Sequence, residues 1–322
     1  MVLSDGPVTR MEELIAPPSG GSALPSYFAK KHFEQNNSYV ASLEGSGVPD
    51  RWMWNYCYAT SGVPRDTNYS FNISDIASSG VNSDAMLYVT LQGVTNSQGQ
   101  YIDHHTSVVV NGVTLTEVFW NGREEKAVLV SVPHSILREG TNTLTMHVFG
   151  DIGAAYDMFY MNWFEMEYWR SFKAEQGKLE FSASIGDISV NGFDSTAANS
   201  VYEVSDPYAP MRVTGAVVEG TILKFRTIDG GTFAASNTPS APTFAIRAPS
   251  ILTEPGTQAD YVLVTHSDFR AASELLAAHR EAEGLKALVT DAEDVYDTFS
   301  YGFECPDAIR DMLAYAASEW AK

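Results

Sequence analysis

Between Trp52 and about Trp169 apolar and polar residues alternate with a period of two, the pattern of half-buried strands. The stretch AMLYVTLQGV sets Leu87, Val89 and Leu91 on one face and Met86, Tyr88 and Thr90 on the other. In SVVVNGVTL the dipeptide Asn111-Gly112 separates two β-branched runs, which suits a type I′ hairpin because both central residues need positive φ. Asn121-Gly122 repeats the device in VFWNGREEKAVLVSV, and NTLTMHVFGD and MFYMNWFEMEYW complete at least six strands. Short, evenly spaced strands of this kind predict an antiparallel jelly-roll sandwich over residues 49–176.

The flanking stretches read differently. Residues 1–48, with APPSGGSALPS, predict an irregular lead-in. Residues 177–250 predict a second, small β-domain of short strands separated by Asp-Pro, Gly-Gly and Asn-Gly turns. The proline-rich stretches SNTPSAPT and APSILTEPGTQ are connectors, the latter the sharpest boundary in the chain. Beyond it the period changes. YVLVT is a continuous apolar run, as in a strand buried on both faces. Ser267 or Asp268 can cap a helix whose side carries Phe269, Ala272, Leu276 and His279, and Gly284 can end it. KALVTD supplies a second strand. Pro306 opens a second helix striped by Ile309, Met312, Leu313 and Ala316 and ending near Trp320. Residues 260–322 thus predict a partial α/β unit, β-α-β-α, in a mainly β chain. Two parallel strands bury too little to stand alone, so a third is expected after Lys322.

Length sets the domain expectation at two or three for 322 residues, with 44% hydrophobic and 12% aromatic residues to fill their cores. Forty acidic residues against twenty basic ones give a formal charge of −20, a field that repels nucleic acid and anionic lipid. The same acidity permits calcium, though solubility alone accounts for it. No apolar run approaches the ~18 residues of a membrane span, and MVLSDGPVTR lacks the pattern of a signal peptide. Cys57 and Cys305 lie too far apart in sequence to suggest a disulfide framework or zinc spacing.

The stretch from Asp260 to Trp320 resembles the opening of the catalytic region in gingipain-like cysteine peptidases. The resemblance is carried by THSDF after a strand, a helix ending REAEGLKALVTD, the AEDVYDTFSYG loop, and DAIRDML on the second helix. DHH, VVVNG, LREGTNTL and MNWFEMEY resemble the accessory β-domain that precedes this region in large members. Sandwiches of the galactose-binding-like type share the L-x-x-G-x-N-x-L element. The resemblance implies the N-terminal portion of a secreted or cell-surface endopeptidase acting on protein or peptide substrates. Its β-domains would position a downstream peptidase subdomain. The family's mechanism needs a histidine beside a glycine and a later cysteine nucleophile, and no histidine here is followed by glycine. The chain is therefore expected to be inactive by itself, with no catalytic residue carried over and no cofactor required.

Within the chain, His266 at a strand end and Cys305 before Pro306 could be drawn as a dyad. Local hydrogen bonding and a capping-position thiol explain them better, since no third, orienting group is apparent. Calcium could be offered Asp291, Glu293, Asp294 and Asp297 of DAEDVYD, or Asp151 and Asp157 of GDIGAAYD; solvated acidic turns are the plainer reading. Asp103 and His105 share one strand face and His104 takes the other, with no further zinc ligand indicated. Trp52, Trp54 and Trp120, like Trp163 and Trp169, could stack on sugar rings or could be core. A carbohydrate-binding module is the alternative function they would serve. A structural role in helping the downstream domain fold is a third. Asn36, Asn68 and Asn72 fall in glycosylation sequons, relevant only in a eukaryotic secretory host.

Overall fold

The alternation along the central strands sorts residues between a buried interior and an outer surface. The computed structural model describes residues 11–320, apart from 42, 44–49, 80, 82, 98–101, 198, 208, 238–249 and 255. Residues 9–240 cluster as one compact unit, and the described residues from Ser250 onward belong to a second.

The first unit begins with β1 (Glu13–Ile15), β2 (Tyr27–Glu34), β3 (Ser38–Tyr39), β4 (Trp52–Met53), β5 (Asn55–Thr60) and β6 (Arg65–Ile73). Then follow β7 (Ala85–Gly93), β8 (His104–Val110), β9 (Val113–Trp120), β10 (Glu125–Val132), β11 (Gly140–Val148) and β12 (Tyr156–Arg170). One sheet has the order β10-β7-β12-β2, and β5 also pairs with β12; the facing sheet runs β6-β11-β8-β9. Between them lies a core of Leu87, Val89 and Leu91 from β7, Phe159, Phe164 and Met166 from β12, and Phe71 and Leu144 from the opposite sheet. Strand β12 is long enough to pair with β5 through Tyr156–Met161 and with β2 through Trp163–Arg170. A register shift between Met161 and Trp163 lets it bend between the two partners.

Strand β2 corrects the expectation of an irregular lead-in up to residue 48. YFAKKHFE forms an eight-residue strand, and β1 pairs in parallel with β16 (Met211–Thr214). The proline and glycine signals of APPSGGSALPS mark only the crossing between them. That crossing is fastened by the carboxylate of Asp187, which accepts from Ser19 N–H, Ser19 Oγ and Gly21 N–H at 2.8–3.0 Å. Asn111 and Gly112 have φ of 50° and 85° and join β8 to β9 as a two-residue hairpin. The other Asn-Gly pair does not repeat it. Asn121-Gly122 lies between β9 and β10, which belong to different sheets, so it makes the crossing between layers. Asp103 pins that crossing, accepting from Gly122 N–H at 2.8 Å while its own N–H donates to Asn121 Oδ1. A Cβ at Gly93 would meet the Gly122 carbonyl oxygen at 2.2 Å, so this approach demands glycine.

The remaining strands of this unit are β13 (Lys178–Ala183), β14 (Gly186–Asn191), β15 (Ser200–Glu203), β16, β17 (Val217–Glu219), β18 (Ile222–Thr227) and β19 (Gly231–Ser236). They form sheets β1-β16-β15-β19-β13 and β14-β18-β17 around a separate core that includes Phe181, Ile188, Val190, Phe225 and Phe233. The SNTPSAPT connector lies mostly outside the described residues.

The second unit pairs β20 (Tyr261–Thr265) in parallel with β21 (Ala287–Asp291), with α1 (Arg270–Ala282) between them in sequence. Helices α2 (Ala292–Phe299) and α3 (Pro306–Glu319) follow. Its core gathers Leu252, Val295, Ala308, Met312 and Trp320, and the Trp320 indole N–H donates to the Leu252 carbonyl at 2.9 Å. Three expectations are revised here. AEDVYDTF is a helix rather than a loop, because Asp291 caps it by accepting from Glu293 N–H. YVLVT is only half-buried over its first four residues, since a two-stranded sheet leaves an open edge beside each strand. The expected α1 stripe is uncovered: Phe269 and Leu276 are 65% and 38% exposed and Ala272 and His279 are exposed too, while the buried residue of α1 is Ala277.

Candidate functional site

At the C-terminal end of β20 the chain turns through His266 into a 3-10 turn at Ser267–Phe269. The His266 ring accepts the Asp268 N–H at its Nδ1 (3.2 Å) and leaves the imidazole largely exposed. Cys305 occupies the N-cap position of α3, partly buried against the second unit's core, with no side-chain capping bond. The two groups make no hydrogen bond to each other. His266 serves its own turn, and Cys305 packs.

The acidic candidates divide by element. Asp291 is a cap, Glu293 and Asp294 lie in the first turn of α2, and Asp297 lies further along it. At about 100° per residue Glu293, Asp294 and Asp297 fall on one side of α2, while Asp291 is engaged as its cap. Among the described residues no group of three or more His, Cys, Asp or Glu side chains is placed to hold a metal ion.

Asp157 and Asp151 are histidine partners. Asp157 is fully buried; one carboxylate oxygen lies 2.7 Å from His104 Nδ1, and the other accepts the His105 N–H at 2.9 Å. His104 Nε2 faces the Gly122 carbonyl at 3.0 Å and so carries a hydrogen there, while Nδ1 shares a hydrogen bond with the Asp157 carboxyl. Its imidazole stacks on Trp120 with centroids 4.3 Å apart. The result is a hydrogen-bonded His104–Asp157 pair sealed in the sandwich at the point where β9 crosses to β10.

His105 points to the opposite, outer face. Its Nδ1 lies 2.8 Å from Asp151 Oδ1, and its ring is clamped between Phe119 and Phe149, centroids 4.1 and 4.0 Å away. Asp103, His104 and His105, read from sequence without a further zinc ligand, take three separate roles, a turn clamp, a buried hydrogen-bonded pair with Asp157 and a surface stack.

Of the three tryptophans that could stack on sugar rings or be core, two pack inward. Trp120 is buried beside His104, and Trp54 packs on the core, stacked on Phe164 at 5.7 Å. Trp52 remains 44% exposed, against Tyr39. Trp163 lies against His32, and Trp169 against Phe28, its indole N–H bound to the Ser83 carbonyl. Asn36 is exposed, and Asn68 and Asn72 on β6 accept hydroxyl hydrogen bonds from Thr145 and Thr141. The second thiol, Cys57, donates toward Tyr69 Oη at 3.2 Å while that phenol donates to Asn55. Burial pushes the Cys57 thiol up to about 11 and raises the Tyr69 phenol as well, so neither is a reactive group.

Sequence reading missed Asp66, Glu117 and His147. The registers β6–β11, β11–β8 and β8–β9 align Asp66, His147, Ser107 and Glu117 as one row across the outer face of the sandwich. The alternation of each strand signalled an outward position for them. Nothing in any single strand signalled the row.

Residues 254–322 match the model of peptidase family C25. No curated protein matches the sequence. Among solved structures, that of dimeric latent PorU from Porphyromonas gingivalis aligns with 96% of this chain at 15% identity and a TM-score of 0.65. This chain spans 30% of the length of that one. The CBM36-1 domain of a multidomain xylanase from the hindgut metagenome of Trinervitermes trinervoides aligns with 43% of this chain and 96% of its own. There the identity is 13% and the TM-score 0.26, an overlap too partial to bear on function. The gingipain-like resemblance read from Asp260 to Trp320 lies wholly inside the family match.

Proposed function

We propose, from the membership of residues 254–322 in peptidase family C25, that this chain is the N-terminal portion of a gingipain-like cysteine endopeptidase. Its β-rich unit is an accessory element, and its α/β unit opens the peptidase region. The observation that carries the reading is the strand–helix–strand order of β20, α1 and β21 inside the family-matched segment. Half-buried β20 and β21, and exposed apolar residues on α1, favour an α/β sheet that is continued by further elements of the parent.

Chemistry within the chain supports an accessory role. A thiol peptidase needs a cysteine activated by a hydrogen-bonded base that a third group orients. Cys57 is sealed in a core, and Cys305 has no histidine partner among the described residues. The nucleophile and base would therefore be contributed by the continuation of the peptidase sheet, and the substrates would be proteins or peptides. The proposed activity requires no cofactor. A secreted or cell-surface location goes with this reading, and no helix among the described residues is long and apolar enough to cross a membrane.

The test is hydrolysis of denatured casein and of a mixed fluorogenic peptide library by the purified 322-residue chain and by its C305A variant. The expected result is no turnover by either. Turnover that disappears in C305A would place the active thiol here and end the proposal. The carbohydrate-binding alternative loses its main support with Trp54 and Trp120 committed to packing.

A further inference from the structure

The first unit holds two hydrophobic cores, one inside the sandwich and one among β13–β19. Two cores on one chain move against each other unless their joint is braced. Here the chain crosses the joint twice. It starts in the second core, where β1 pairs with β16 and Ala16 is buried, and enters the sandwich along β2. It returns along β12, after which Phe172 and Ala174 pack in the second core. The two crossings lie side by side as an antiparallel ladder, with Tyr27 opposite Arg170 and Phe28 opposite Trp169. Tyr27 already belongs to the second core, while Phe33 near the far end of β2 packs on the first.

A cluster of charges sits where the ladder crosses. Asp75, in the connection from β6 to β7, has φ of 56°, a left-handed conformation uncommon outside glycine. Its Oδ2 accepts from Arg170 Nη2 at 3.0 Å and its Oδ1 from Lys173 Nζ at 2.8 Å. Arg170 also donates to Tyr27 Oη at 3.2 Å and to Glu175 Oε1 at 2.7 Å, and Ser74 Oγ donates to the same Glu175 oxygen. The backbone joins in: Ser171 N–H donates to the Asp75 carbonyl, and the Glu139 carboxylate accepts the Asp75 and Ile76 N–H groups. The Asp75 and Arg170 side chains are 10% and 14% exposed, so their pair is sheltered from the screening that weakens surface pairs. Burial pushes the Asp75 carboxyl up, but Lys173 and Arg170 outweigh it and hold it below the usual carboxylate range. Hinges act at residues that end an element, and residues 171–175 follow β12 directly. We infer that this cluster is a clamp that locks the sandwich and the second β-core into one rigid arm, with Asp75 tying the β6–β7 connection to the stretch that would otherwise hinge. The inference stands on the β-rich unit alone and does not depend on the peptidase reading.

The test is the distance between the two cores, measured by pulsed dipolar spectroscopy on the full chain. Nitroxide labels go on A127C and S195C, exposed positions of the sandwich and of the second core. C305A is the background, since Cys57 is buried and escapes labelling. One narrow distance distribution is expected with the clamp intact. Asp75→Asn keeps the side-chain shape and the positive φ, which Asn tolerates, and removes the charge; it should widen the distribution about twofold or more. E219Q, which removes an ion pair with Lys224 inside the second core, should leave the width unchanged. Should D75N fail to fold, K173Q/E175Q serves in its place, because both of these partners are exposed and their loss should widen the distribution as well. A distribution already broad with the clamp intact would overturn the inference. So would an unaltered width in the clamp variants, or equal widening in E219Q.

Discussion

Removing the Asp157 side chain tests whether the sandwich depends on its buried His104–Asp157 pair. Asp157 and His104 are both fully buried, and the Asp157 carboxyl bonds two groups, His104 Nδ1 at 2.7 Å and the His105 N–H at 2.9 Å. Asp157→Ala leaves both groups facing a small apolar gap. An unmet buried donor costs about 1–3 kcal/mol, and breaking a buried ion pair by deleting one partner costs about 3–5 kcal/mol. The two routes agree on roughly 4 kcal/mol. For a unit of this size that corresponds to a fall in melting temperature of roughly 10 °C.

Asp157→Asn should behave differently, because the local bonds can be rewritten. The amide oxygen can accept from His105 N–H while its NH2 donates to His104 Nδ1. The ring is then neutral, with its Nε2–H on the Gly122 carbonyl. Every donor stays paired, so the loss should stay within about 1.5 kcal/mol. Urea unfolding followed by tryptophan fluorescence, with calorimetry alongside, measures both variants against the parent. A loss under about 1 kcal/mol in D157A, or equal damage from the two substitutions, would refute the account of this network.

Two other outcomes follow from the same geometry. Burial pushes the Cys57 thiol up to about 11, so at pH 8 a disulfide reagent should titrate Cys305 in the native chain and reach Cys57 only after denaturation. Equal reaction of both thiols in the native state would contradict it. At His32, partial burial pulls the imidazole pKa down, but hydrogen bonds to Glu34 and Glu165 outweigh it and the net shift is upward. A raised pKa means stability fully present below about 6.5 and lost as pH rises through the folded value. The stability difference between parent and H32Q should therefore shrink from pH 6 to pH 8, and a difference that is flat or grows over that range would reverse the sign of the argument.

The central strands were legible because one sheet face is dry: Leu87 and Val89 alternate with the partly exposed Met86 and Tyr88 as period two requires, although Thr90 and Gln92 beside Leu91 are covered as well. The hairpin at Asn111-Gly112 was legible because its φ values are a local property. The layer crossing at Asn121-Gly122 carries the same dipeptide and was misread, since only the choice of partner strand distinguishes the two. Strand β2 was hidden for a related reason. YFAKKHFE alternates only loosely, with Lys30 and His32 on the outer face but Lys31 on the side of Phe33, and what makes it a strand is its ladder with Trp163–Arg170, over a hundred residues away. On α2 the acidic run concealed a helix, because Asp, Glu and Thr suggest a turn until Asp291 is seen to cap the first one.

The row on the outer face shows the limit most sharply. Asp66, His147 and Glu117 occur in three strands, each an outward polar residue with an ordinary neighbour pattern. They form a row because β11 takes its register from β6 on one side and β8 on the other, and β9 takes its own from the two-residue hairpin together with the one-residue shift between Val108 and Val109. A one-residue slip in the β8–β11 pairing would turn His105 inward and bring His104 to the surface, exchanging the core pair for the surface stack. That slip would bury His105 with its aromatic clamps lost and take the His104 ring away from the buried Asp157. The histidine pair therefore fixes the register as well as reporting it, since one ring is matched to a buried carboxylate and the next to an exposed aromatic face.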